Sequence, residues 1–203
     1  METAISFVRH GEVYNPDKVF YGRLSRFGLS DKGKHQAVRA AETLNCRRLA
    51  AVFSSPLLRA RQTAVELVKF HSDLKLRISS LLSEVATPFD GRPSREVDRR
   101  HGDVYTGSDH NFEQPPDIVY RVQKFFRRCR RQYAGRQIAA VTHGDVIAFA
   151  VLWAHRQPLI PRHKSRLVSF GIADGYPAHA TLTTFTFRTT LNDEIPAVSY
   201  LRP

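Results

Sequence analysis

Ala4-Ile5-Ser6-Phe7-Val8-Arg9-His10-Gly11-Glu12 stands near the start of the chain, and Ile138-Ala139-Ala140-Val141-Thr142-His143-Gly144-Asp145 repeats its pattern late in it. Each is a short apolar run of strand length that runs directly into His-Gly. Runs of this kind suit strands buried in a parallel sheet. Such sheets bind ligands beyond the carboxyl ends of their strands. Glycine after each histidine lets the backbone approach a ligand closely. The two stretches therefore predict that His10 and His143 bring two imidazoles to one crevice.

Working outward, strand and helix signals alternate. Ser30 is a helix cap, and the helix runs to about Asn45 with Ala37, Ala41 and Leu44 on one face. Leu49 to Phe53 reads as a buried strand. Ser55-Pro56 then opens a helix, with proline in the first turn, where its missing N–H costs nothing. A third strand falls within Leu74 to Leu82. Pro116 to Tyr133 is amphipathic at helical spacing, through Ile118, Val122, Phe125, Phe126 and Cys129. A helix from about Asp145 to Ala154 follows the late strand. Thr181 to Arg188 alternates as a strand does, and Ala197 to Leu201 adds an edge strand. This order predicts an α/β sandwich with a mainly parallel sheet. No linker or repeat divides the chain, so residues 1–203 are expected to form one domain. Its least regular part, Pro88 to Pro116, carries Gly91, Pro93, Gly102, Gly107 and Pro115 and reads as an excursion, in the manner of a lid.

Thirty-one Lys and Arg against nineteen Asp and Glu give a formal charge of +12, which attracts anions without naming one. No apolar run approaches the ~20 residues that span a bilayer. The stretch from Met1 to Val8 lacks the basic start and long apolar middle of a signal peptide, so a cytoplasmic location is expected. Cys46 and Cys129 are far apart and form no CxxC pair; they read as reduced thiols.

Four blocks carry chemistry: Arg9-His10-Gly11-Glu12, Ser54-Ser55-Pro56-Leu57-Leu58-Arg59-Ala60-Arg61-Gln62-Thr63-Ala64, Val141-Thr142-His143-Gly144-Asp145, and Gly22 through Leu29-Ser30 to Gly33 and Gln36-Ala37. With the first three in the family's order, each after an expected strand, these blocks resemble the histidine phosphatase superfamily, the phosphoglycerate-mutase-like family. The resemblance runs from residue 5 to about 150. It implies a three-layer α/β/α sandwich and a phosphomonoesterase in which His10 attacks phosphorus and forms a phosphohistidine. It also implies that His143 completes the phosphate pocket, with Gly144 beside it. Glu84, in Leu82-Ser83-Glu84-Val85, matches the general acid of some branches; Asp145 is the competing candidate. Neither a metal nor an organic cofactor is expected.

Physical chemistry agrees with these roles. Transfer of a phosphoryl group is mostly positioning plus stabilisation of charge on its equatorial oxygens. Arg9 and Arg59 offer planar, permanently charged forks that match those oxygens. Arg59 also falls in the first turn of its helix, where free N–H groups favour an anion. Arg61 reads as an exposed helix residue, and Glu12 as a supporting group rather than the proton donor. A nucleophilic histidine must be neutral, so its second nitrogen should donate to a backbone carbonyl or similar acceptor. A carboxyl near phosphate with a raised pKa would suit the proton donor.

The chain departs from the family pattern in places. Val13 follows Arg-His-Gly-Glu, and Asn15 lies five residues after His10, one short of the usual asparagine. It is still a phosphate-binding candidate. Arg23 replaces the tryptophan usual after Gly22. Gly22 and Arg23 are substrate-binding candidates, Arg23 either adding charge at the pocket mouth or pointing to solvent.

Arg121, Lys124, Arg127, Arg128, Arg130 and Arg131 crowd one helix, and a solvated face is the favoured reading. No aromatic residues interleave there, which argues against nucleic acid. The histidines at 35, 71, 101, 110, 155, 163 and 179 show no metal-ligand spacing. The expected partner is a small phosphorylated substrate, with no membrane involved. The rival readings are a mutase-type phosphotransferase and a non-catalytic module that binds a phospholigand or nucleic acid. Substrate identity and oligomeric state are not legible.

Overall fold

Strand β1 (Thr3–Arg9) lies inside a six-stranded sheet and pairs in parallel with β4 (Gln137–Thr142), Arg9 opposite Thr142. His10 and His143 therefore leave the sheet side by side. The computed structural model describes residues 2–109 and 111–203, so Met1 and His110 lie outside the described residues. Beyond β4 come β2 (Leu49–Ser54) and the short β3 (Leu76–Ile78), both parallel. On the other side, β5 (Leu182–Phe187) and β6 (Ala197–Leu201) are antiparallel, giving the order β3-β2-β4-β1-β5-β6. The sheet is thus mostly parallel, with an antiparallel pair at one edge.

The period-two alternation of the strands sorts their side chains onto two faces. Ile5, Phe7, Phe53, Ile138 and Phe185 pack on one side with α4 (Pro115–Gln132) and α5 (Gly144–Ala154). Val8, Val52, Ala139, Val141 and Leu182 pack on the other with α1 (Asp31–Asn45) and α2 (Leu58–Lys69). This is the expected α/β/α layering. Helix α1 begins as read: the Ser30 side chain accepts from the Gly33 N–H.

Two local expectations are corrected, and the excursion gains its detail. Helix α2 starts at Leu58, not at Pro56, because Ser55 is drawn elsewhere: its Oγ lies 2.8 Å from His143 Nε2. Arg59 nevertheless remains in the first turn. The 88–116 segment, read from the sequence as a partly helical excursion, is described except at His110. It holds the short helix α3 (Ser94–Asp98), and its start is stitched to Lys18–Phe20 by four backbone hydrogen bonds or bridges: Phe20 N–H to Arg92 O, Gly91 N–H to Phe20 O, Ser94 N–H to Lys18 O, and Val19 beside Pro93. Finally, two arginines of α4 are not on a solvated face. Arg121 is buried against Glu113, and Arg130 against Glu194. Each arginine holds a loop to the helix.

Candidate active site

His10 follows β1, and its ring is buried. Nδ1 lies 2.8 Å from the Gly11 carbonyl, which can only accept, so Nδ1 carries the proton. Nε2 is then the free base, and it accepts from Arg59 Nε at 3.2 Å. Burial, and then the charges of Arg59 and Arg9, hold His10 well below the usual histidine pKa. The ring is therefore neutral at neutral pH. The turn that carries it is fastened by α2: the Gly11 N–H donates to Thr63 Oγ1.

His143 caps the start of α5, and its ring centre is 5.1 Å from that of His10. Arg59 reaches both rings, with Nη2 3.3 Å from His143 Nδ1 and 2.6 Å from the Gly22 carbonyl. A guanidinium has no acceptor, so His143 accepts at Nδ1 and donates from Nε2 to Ser55 Oγ. Burial and the Arg59 charge keep His143 neutral as well. Arg59 is fully buried over the Tyr21 ring, and its Nη1 has no hydrogen-bond partner. Arg9 donates from Nη1 to the Pro177 carbonyl, while its buried Nε is also unpartnered. Two arginines thus bring unpaired donors to the histidine pair.

Two carboxyls stand beside them in opposite electrostatic settings. Glu84 accepts from the Val85 N–H, and its Oε2 is 3.7 Å from His143 Nδ1. Burial, and then repulsion from Asp145, raise its pKa. Asp145 is also buried, which alone would raise it. Lys164 at 2.6 Å, with the hydroxyls of Tyr105 at 2.5 Å and Tyr176 at 2.6 Å, reverses that and lowers it. A cavity of about 330 Å³ opens in front, lined on its inner wall by Arg9, His10, Gly22, Glu84 and Tyr176. Among the described residues no group of three His, Cys, Asp or Glu is placed to hold a metal ion.

The family model for the histidine phosphatase superfamily, branch 1, matches residues 5–183. The chain belongs to that superfamily. The Uncharacterized protein Rv0525 of Mycobacterium tuberculosis is 36% identical over 149 residues, covering 70% of this chain and 73% of that protein. The Fructose-2,6-bisphosphatase TIGAR of Xenopus laevis is 36% identical over 99 residues, covering 46% of this chain but 36% of that protein. Among solved structures, a mycobacterial glucosyl-3-phosphoglycerate phosphatase superposes with a TM-score of 0.75 at 23% identity, over 99% of this chain and 97% of that one. A phosphoserine phosphatase from Entamoeba histolytica gives 0.74 at 21% identity, over 98% and 96%. At those identities the likeness is one of fold.

Within this histidine phosphatase, Arg9, His10, Arg59, Glu84 and His143 come together, with the Gly22 carbonyl on Arg59. Three candidates have other duties. Asn15 is not brought to the cluster: its amide closes its own loop, donating to the Val19 carbonyl and accepting from the Val19 N–H, and it lines a separate hollow. Arg23 is exposed, but its guanidinium is engaged. It donates to the Glu84 carbonyl and pairs with Glu113 at 2.7 Å, tying the Glu84 loop to the excursion. Gly144 is needed for space, since a Cβ there would lie 2.2 Å from Tyr176 Oη. Sequence reading missed Tyr105, Lys164, Tyr176 and His179. The first three converge on Asp145 from three distant loops, with no local motif to mark them. His179 stacks 5.7 Å from His10; as one more histidine without metal spacing it drew no attention.

Membrane crossing finds no candidate: among the described residues no helix is long and apolar enough.

Proposed function

We propose that the chain is a phosphomonoesterase acting on a small phosphorylated substrate through a phosphohistidine on His10. The observation that carries this reading is the buried, neutral His10, its Nδ1 proton pinned by a backbone carbonyl and its Nε2 turned to the Arg59 guanidinium between the two imidazoles. An entering phosphate offers Arg59 and Arg9 the oxygen acceptors that their spare N–H groups lack. That exchange frees His10 Nε2 to attack. The N–P bond forms as the ester P–O bond breaks, and Glu84 gives its proton to the departing alcohol. Glu84, now a carboxylate, takes a proton from water, which attacks phosphorus. The N–P bond breaks, inorganic phosphate leaves, and His10 returns to its starting state. Glu84 is preferred to Asp145 as the acid because the two pKa values are driven apart, Glu84 upward toward holding a proton and Asp145 downward. His143 hydrogen-bonds the transferring group. Gly144 opens the helix N-terminus beside it.

Hydrolysis of p-nitrophenyl phosphate in the presence of EDTA tests the assignment. Wild type is expected to release phosphate and, quenched in denaturant, to carry an acid-labile phosphoryl group. His10→Ala should lose both. Turnover at the wild-type rate by His10→Ala rejects the nucleophile.

A further inference from the structure

The cavity in front of His10 has two unlike walls. The inner wall is the phosphoryl site. The outer wall comes from the excursion and the segment it is stitched to, and offers Val19, Phe20, Val97 and Val104 with Asp98 at the end of α3. Of the cations that line the cavity, Arg9 belongs to the phosphoryl wall and Lys164 is already engaged, while Lys18 and Arg95 line the adjoining hollow. Lys164 is held by Asp145 and by the Gly102 carbonyl at 2.8 Å. Arg23 is held by Glu113 and the Glu84 carbonyl. Arg100 is turned onto the Asp103 and Thr106 carbonyls, and Arg92 pairs with Glu96 at 3.7 Å. Asp98 stands apart from these. Among the described residues, no hydrogen bond or ion pair engages its carboxylate.

From this we infer that the pocket selects monophosphates whose alcohol has a hydrocarbon body and a neutral or positively charged far end, with Asp98 as the residue that reads that end. The inference rests on the proposed phosphomonoesterase reading and narrows its substrate class. Once the phosphoryl group has used Arg9 and Arg59, a second acid group inside the cavity meets no unengaged cation among the residues that line it, and faces the Asp98 charge. An ammonium at that place meets a carboxylate with no competing partner. A hydroxyl meets an acceptor. The hydrocarbon between lies along the half-buried Val19 and Phe20, backed by the buried Val97 and Val104. Arg23 does not line the cavity, and its Nε and Nη2 are engaged with the Glu84 carbonyl and Glu113.

The test uses three alkyl phosphates of matched length: aminobutyl phosphate, butyl phosphate and carboxypropyl phosphate, with p-nitrophenyl phosphate as the reference. Because Asp98 is exposed and screened, the expected discrimination in kcat/KM between the ammonium and carboxylate substrates is about tenfold, not thousands. Asp98→Asn should bring that ratio close to one, and Asp98→Lys should invert it. A wild-type preference for the carboxylate substrate, with p-nitrophenyl phosphate turned over normally, overturns the inference and leaves the enzymatic reading standing. So does a ratio that neither Asp98 variant moves. Failure of wild type on p-nitrophenyl phosphate as well removes the phosphomonoesterase reading, and the inference with it.

Discussion

Arg59 is a fully buried guanidinium without a carboxylate in contact, and one of its nitrogens has no partner at all. Burying a charged donor that way destabilises a fold by several kcal/mol per ion unless something compensates. Stability alone gives no reason for it, whereas phosphate affinity does. The neighbouring carboxyls follow the same logic. Asp145 is saturated by a lysine and two tyrosines, which lower its pKa; burial, and then the Asp145 charge, raise that of Glu84. Glu84→Gln retains shape and removes the transferable proton. It should lower kcat/KM on alkyl phosphates by about 10²–10⁴-fold, the usual contribution of a positioned acid. On p-nitrophenyl phosphate, whose leaving group hardly needs a proton, the loss should be far smaller. Steady-state rates on both substrates decide it, and equal losses would point to a structural role for Glu84. Sequence alone was enough to propose His10, Arg59 and His143 because each sits at the end or start of an element inside a contiguous motif. Asn15 misled because its loop closes on itself between Asn15 and Val19, a local turn that residue spacing does not reveal.

Two elements meet closely where α1 passes the His10 turn. A Cβ on Gly33 would lie 2.0 Å from the Glu12 carbonyl oxygen, and one on Gly11 would lie 2.3 Å from the Gly33 carbonyl oxygen. Both obstacles are backbone, so neither can swing aside. The contact lets Glu12 accept from the Ser30 hydroxyl while its N–H donates to Gln36, locking β1's exit to α1. Gly33→Ala must push the helix off the turn. It should destabilise the fold by about 1–3 kcal/mol, the cost of forcing extra volume into packed structure. Urea denaturation measures this, and an unchanged midpoint would show that the helix shifts freely. Long apolar or amphipathic elements such as β1, β4 and α4 were legible because one period governs many residues. Strand β3 has only three residues, none of them buried, so its pattern could not separate it from its surroundings. The start of α2 was misplaced because Ser55 serves His143, a long-range contact, rather than the local cap its spacing suggests.

At the scale of the molecule, the active site is a store of neutral histidines beneath a positively charged surface. His10 and His143 are held well below their usual pKa, first by burial and then by Arg59. His179, behind His10, is pushed down to about 3 by burial and Arg9, and its Nε2 is buried without a partner. The unfolded chain protonates all three near the ordinary value of 6.5, whereas the folded protein refuses those protons. Stability is therefore full above about pH 6.5 and falls as the pH drops below it, because unfolding takes up protons. Glu84 works in the opposite sense, since its raised pKa lets the folded state bind a proton first. His179 can be isolated from the rest. With a folded value of about 3 against 6.5 unfolded, it contributes a loss of about 2 kcal/mol between pH 7.5 and pH 5. His179→Gln keeps a polar side chain of similar reach but removes the titration. Urea unfolding at the two pH values should show wild type losing about 2 kcal/mol more than this variant. Equal losses would mean that His179 titrates normally in the folded protein, and that the packing behind the nucleophile admits a second charge.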